Sequence, residues 1–159
     1  MNTLYLCVIG ISGYDGPNFV LGIFDDVALA QAAQQAFIQT YKTENNTLEV
    51  LTQRERWIEL EEIKISEHLC DISQTGAYYY IVSRFSEGFG QIYRDIDAIF
   101  DSYNDALNKL LLLEKAFDEE EASFPEYFAI EKFEINKIND KTIPQWLAGD
   151  FFGDDKHCL

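Results

Sequence analysis

His68 and Cys70 stand one residue apart, and His157 and Cys158 stand side by side near the end of the chain. Two imidazoles and two thiolates are a set that zinc accepts when the fold gathers them around one ion. Their spacing matches no zinc motif, however, and Cys7, Cys70 and Cys158 contain no Cys-x-x-Cys pair. Neither a metal nor another cofactor is expected. A Cys70 nucleophile activated by His68 would need the imidazole within hydrogen-bond reach of the thiol. Side chains at i and i+2 of a strand do not meet in that way without special geometry. The chain has no Gly-x-Ser-x-Gly elbow, and its two histidines are the only imidazole bases. Gly10, Gly13 and Gly16 form a glycine-rich stretch without the Lys-Ser/Thr that a phosphate cradle requires, so they are read as a hairpin turn. Glu61, Glu62 and Glu131 are read as the solvated face of a strand. With no catalytic set in view, the chain is expected not to be an enzyme.

Charge is the strongest compositional signal. The 159 residues hold 28 Asp plus Glu against 12 Lys plus Arg, a formal net charge of −16, and no basic residue precedes Lys42. A surface of that sign repels nucleic acid and anionic membranes and steers association with basic partners. Neither direct nucleic-acid binding nor membrane binding is expected. The densest acidic run is Asp118, Glu119, Glu120 and Glu121, just past a leucine-rich helical pattern, where the helix dipole disfavours negative charge. Asp154 and Asp155 add a second acidic point near the end. These six residues are the expected partner-binding site, with Phe117, Phe124 and Tyr127 beside the run either anchoring a contact or packing inward.

Apolar and aromatic residues, 47% and 14% of the chain, are enough for a packed core. An odd, scattered cysteine set fits a reducing compartment, and the apolar opening carries no Lys or Arg ahead of it, so a cytoplasmic location is expected. The elements fall into two similar halves. "TLYLCVIGI" and "YYYIVSRF" are strand candidates, each followed by a glycine turn and a second strand, "NFVLGIF" and "QIYRDIDAIF". Both second strands end on one phrase, Gly22-Ile23-Phe24-Asp25 and Ala98-Ile99-Phe100-Asp101, and a helix should follow. Asp25 or Asp26 is expected to cap the first helix and Ser102 the second.

The expected buried stripes are Leu29, Ala32, Ala33, Ala36 and Phe37, then Tyr103, Ala106, Leu107, Leu110 and Leu111. They lie two residues out of phase when the phrases are aligned. Each half closes on an alternating strand, Trp57 to Ile65 and Tyr127 to Ile135, with a bulge expected at the middle of both.

The expected fold is therefore α+β. Two tandem ββαβ repeats (about 1–66 and 78–138, joined by a linker at 67–77) form a two-layer antiparallel sheet with both helices on one face. A C-terminal extension, 139–159, completes a single pseudo-symmetric domain. The Gly22–Asp25 and Ala98–Asp101 phrases with Ala28 and Ala106, and the closing strand Tyr127–Asn136, resemble a family of small, uncharacterised bacterial ββαβ modules. That resemblance implies a fold and no active site. Immunity proteins of bacterial conflict systems share this size and acidity. The function expected is an immunity- or antitoxin-like inhibitor that occludes a basic toxin or nuclease. The alternatives are a nucleic-acid mimic acting against restriction or defence proteins, and a ligand binder or enzyme using a cleft between the halves.

Overall fold

The computed structural model describes residues 2–11, 19–44, 60–72, 76–88, 91–117, 125–139 and 141. The fold is α+β. β1 (Asn2–Ile11), β2 (Phe19–Phe24), α1 (Val27–Glu44) and β3 (Leu60–Cys70) precede β4 (Tyr78–Gly88), β5 (Gln91–Phe100), α2 (Tyr103–Ala116), β6 (Glu126–Glu134) and the short β7 (Lys137–Ile138). All pairings are antiparallel, in two sheets of order β3-β1-β2-β7 and β5-β4-β6. In each sheet the first strand of the half is central, with the second and third strands on its two sides.

The strand sequences explain the layering. β1 is apolar on both faces. Leu4, Leu6 and Val8 join Tyr79, Ile81, Ile99 and Phe133 of the other sheet in one buried core, so the two sheets pack face to face. Cys7 and Ile9 point the other way and pack with Phe19, Leu21, Phe24 and Ala30 beneath α1. Val82, Phe128 and Ile130 do the same with Ala106 and Leu110 beneath α2. A strand that is apolar on both faces must be covered twice. The chain is therefore layered helix, sheet, sheet, helix. This corrects two expectations: the halves do not share one sheet, and the helices lie on opposite outer faces.

The repeated phrase occupies the same register in both sheets. Gly22, Ile23 and Phe24 oppose Cys7, Leu6 and Tyr5; Ala98, Ile99 and Phe100 oppose Val82, Ile81 and Tyr80. The register slips by one residue just before each phrase, which leaves Leu21 and Asp97 as the extra residues of two bulges. Past each phrase the helix starts match as well. Asp26 Oδ1 accepts from the Leu29 amide at 3.0 Å, and Ser102 Oγ accepts from the Asp105 amide at 3.4 Å. Ala30 and Ala106 are the first buried residues of their helices.

The helix stripes need one correction. α1 turns Ala30, Ala33, Gln34 and Phe37 inward, with Gln34 Nε2 donating to the Ile63 carbonyl at 2.7 Å. Leu29, Ala32 and Ala36 are exposed. The small Ala30 permits close approach of α1 to the sheet, and the stripe built on Leu29 gives way to it. The apparent phase difference between the helices disappears with that shift. In α2 the inward residues are as expected, except that Leu111 is exposed.

The closing strands also differ from expectation. β3 runs on through Ser66–Cys70, past the expected strand end at Ile65 and into the expected linker, because β1 needs a partner along its whole length, from Asn2↔Cys70 to Ile11↔Leu60. The bulge expected in β3 is present, with the register slipping past Glu61. β6 has none: its pairing with β4 is continuous from Glu134 to Glu126. The uneven apolar spacing there arises because both faces are buried. Phe128 and Ile130 meet α2, while Ala129, Glu131 and Phe133 take the alternate positions.

Candidate functional site

Asp118, Glu119, Glu120, Glu121, Asp154 and Asp155, the expected partner-binding residues, lie outside the described residues, as do His157 and Cys158. His68 and Cys70 sit at alternate positions of β3, and the Cys70 thiol reaches the His68 carbonyl at 4.0 Å. Burial pushes the Cys70 thiol up and the His68 imidazole down, the opposite of the shifts that a thiolate–imidazolium pair requires. Cys7 lies in the core under α1, where burial raises its pKa to about 11. Among the described residues no group of three or more His, Cys, Asp or Glu could hold a metal, and no helix is long and apolar enough to cross a membrane.

Glu131 is not solvated, which corrects the reading of its strand face. It is 1% exposed and pairs with Arg94, likewise 1% exposed, through Nη2 and Oε1. Arg94 also donates to Ser83 Oγ from Nε at 3.2 Å and from Nη2 at 3.0 Å, and its guanidinium lies 5.2 Å from the Phe85 ring centre. The three residues come from β5, β4 and β6, so Arg94 laces the sheet across its central strand. Burial pushes the guanidinium down and the Glu131 carboxyl up, and each is opposed by its partner's charge. Sealed from solvent, the cluster ties β5, β4 and β6 together.

An accessible feature among the described residues is a cleft of about 740 Å³ beside β5. Its floor is the outer edge of the strand from Asp97 to Phe100; α2 forms one wall, and Leu69 to Ile72, at the end of β3, form the other. Leu69 and Leu112 both line it, at 71% and 65% exposure. Asp71, Asp97, Asp101 and Asp105 supply its charge, and Lys109 is the basic residue of the lining. Lys109 is engaged: its Nζ lies 3.1 Å from Asp97 Oδ2, while Arg84 Nη2 lies 3.5 Å from Asp97 Oδ1. Asp97 is thereby neutralised, whereas Asp71, Asp101 and Asp105 stand exposed.

The corresponding edge of the first sheet is filled by the chain itself. β7 pairs with β2, Ile138 opposite Gly22 and Lys137 opposite Ile23. The Asn136 amide donates to the Ile23 carbonyl at 2.8 Å, and the Asn139 amide donates to that of Leu21. Asn136 turns the chain from β6 into β7 at φ 61°, a left-handed conformation that asparagine tolerates better than most residues. Its side chain then clasps the phrase: Nδ2 donates to Asp25 Oδ1 at 2.8 Å, and Oδ1 accepts from the Asp25 amide at 3.1 Å. Gly22 makes the approach possible, since a Cβ there would lie 2.6 Å from the Lys137 carbonyl oxygen. Among the described residues no strand pairs with the outer edge of β5. Tyr79 lies between the two phrase ends, its hydroxyl pushed up by burial and by the charges of Asp25 and Asp101.

Neither a family model, nor a curated protein, nor a solved structure matches this chain.

Sequence reasoning passed over the β5 edge because pairing partners are not written in a strand's own residues. The buried pair did leave a signal. Arg94 alternates with Ile92 and Ile96, and Glu131 with Ala129 and Phe133, both at inward positions of apolar strands.

Proposed function

We propose that this chain is a non-enzymatic binding protein of the immunity or antitoxin kind, which receives a basic partner at the β5–α2 cleft and occludes it. The observation that carries the reading is the cleft itself: its lining holds exposed Leu69 and Leu112 together with the exposed carboxylates of Asp71, Asp101 and Asp105. Apolar anchors within an acidic rim suit a cationic protein, with the carboxylates steering approach and the leucines slowing departure. The net charge of −16 extends the same field over the whole surface. Asp118–Glu121 and Asp154–Asp155 remain part of the proposal as additional sources of that field. The two halves are read as tandem ββαβ units. Their common strand order, matching bulges and matching helix caps support that reading. In one copy the phrase edge is closed by β7, and in the other no strand pairs with it among the described residues.

Capture from a lysate of the source organism tests the function, with wild-type protein run beside an Asp71→Lys/Asp101→Lys variant. A basic protein retained by the wild type and lost from the variant, whose toxicity is relieved by co-expression, is the expected result. Equal retention by both proteins, or a partner that is not basic, would overturn it. A nucleic-acid mimic would show itself in the same experiment by retaining a restriction or defence protein.

A further inference from the structure

We infer that the outer edge of β5 at Asp97–Asp101 is a strand-acceptor site, which binds an extended basic segment of the partner as an added antiparallel strand. The inference deepens the proposed function and rests on it for the identity of the occupant. Its geometry comes from the molecule's own β7. In the first sheet the edge of the phrase already takes up an Asn-Lys-Ile-Asn strand: Asn136 on Asp25, Lys137 opposite Ile23, Ile138 opposite Gly22, and the Asn139 amide on the Leu21 carbonyl.

The second phrase repeats the bulge, the isoleucine and the terminal aspartate of that acceptor, with Ala98 in place of Gly22. Asp101 stands where Asp25 stands, Ile99 where Ile23 stands, and the bulged Asp97 where the bulged Leu21 stands. Main-chain hydrogen bonds would give affinity at this edge, and alternate side chains would give selectivity. The surroundings set the chemistry of the occupant. Side chains leaving an added strand meet Leu69 and Leu112 and the carboxylates of Asp71, Asp101 and Asp105, which select alternating apolar and basic residues. One difference tunes the fit: Ala98 carries a methyl group where Gly22 has none, so an incoming strand cannot seat as closely as β7 does.

The probe is a synthetic peptide, Lys-Ile-Asn-Lys-Ile-Asn-Lys, which sets the sequence of 135–139 between two lysines. A second peptide is identical except for N-methylation at its two asparagines, which removes the donating amides and leaves charge and side chains intact. Amide NMR of the full chain locates each peptide, and titration gives its affinity. The expected result is perturbation centred on Ala98–Asp101, with the methylated peptide binding roughly tenfold more weakly or worse, as the loss of two main-chain hydrogen bonds requires. Ala98→Gly should strengthen binding of the unmethylated peptide, an effect that a purely electrostatic contact would not show. Equal binding of the two peptides in the cleft would overturn strand addition while leaving a basic partner in place. No binding to a chain that still captures its basic partner would also overturn it. Perturbation centred on Gly22–Asp25, by displacement of β7, would place the acceptor at the wrong sheet and overturn it too.

Discussion

Asp25 and Asn136 hold each other by two reciprocal hydrogen bonds, main chain to side chain at 3.1 Å and side chain to side chain at 2.8 Å, across 111 positions of sequence. The pair ties the first Ile-Phe-Asp phrase to the strand that leaves the second sheet. It is a small clasp, yet it seats β7 on β2 and shows what an Ile-Phe-Asp edge accepts. Asn136→Ala loses both bonds and places alanine at φ 61°, so unfolding in urea should show a loss of about 1–2 kcal/mol. Asn136→Gly keeps the backbone free and should recover part of that loss. Equal stability of both variants and the wild type would show that the clasp contributes nothing.

Gly22→Ala tests how β7 is seated. The new methyl would meet the Lys137 carbonyl oxygen and the Phe24 ring, at 2.6 Å and 2.9 Å. One of these neighbours must move, at a cost of about 1–3 kcal/mol. Hydrogen exchange should quicken at the amides of Asn136 and Asn139, which donate to β2. Unchanged protection there would mean that β7 is held by something other than its edge pairing.

The pair of Arg94 and Glu131 makes a sharper prediction. Glu131→Gln leaves a guanidinium buried without its counter-charge, and such losses run to about 3–5 kcal/mol. Replacing both residues by apolar ones, Arg94→Met with Glu131→Leu, removes the desolvation cost along with the attraction and should restore most of the stability. A double variant as unstable as the single one would mean that the pair holds the sheet by more than mutual compensation.

Cys7 gives a pH signature. Its pKa is raised by burial from 9.0 to about 11, so between those values the unfolded chain gives up a proton that the folded chain keeps. The folded state binds more protons in that window, and stability must fall as pH rises through it, by about 1.4 kcal/mol per unit. The difference in stability between the wild type and Cys7→Ala isolates this contribution from other groups that titrate there. A difference that stayed flat from pH 9 to 11 would contradict the burial of the thiol.

Much of the fold was legible in particular residues. Apolar, β-prone runs around glycine turns located β1, β2, β4 and β5, alternation located β6, and Ser102 marked the start of α2. The layering was not legible, because Leu4, Leu6 and Val8 look the same in sequence whether they meet a helix or a second sheet. Charge also misled. Glu131 reads as a surface residue until Arg94, 37 positions away in sequence, is known to lie beside it. The cleft was hidden for a related reason. Leu69 and Leu112 come together only when β3 of one half and α2 of the other are brought together, and among the described residues β7 pairs with the first sheet while no strand pairs with the outer edge of β5.

Hydrogen exchange on the chain alone and in complex with its captured basic partner tests the central claim most directly. Binding should slow exchange at Ala98–Asp101, along the β5 edge, and raising the salt concentration should slow association. Protection confined to α1, around the exposed Val27 and Leu29, or binding that leaves the β5 edge exchanging as before, would contradict it.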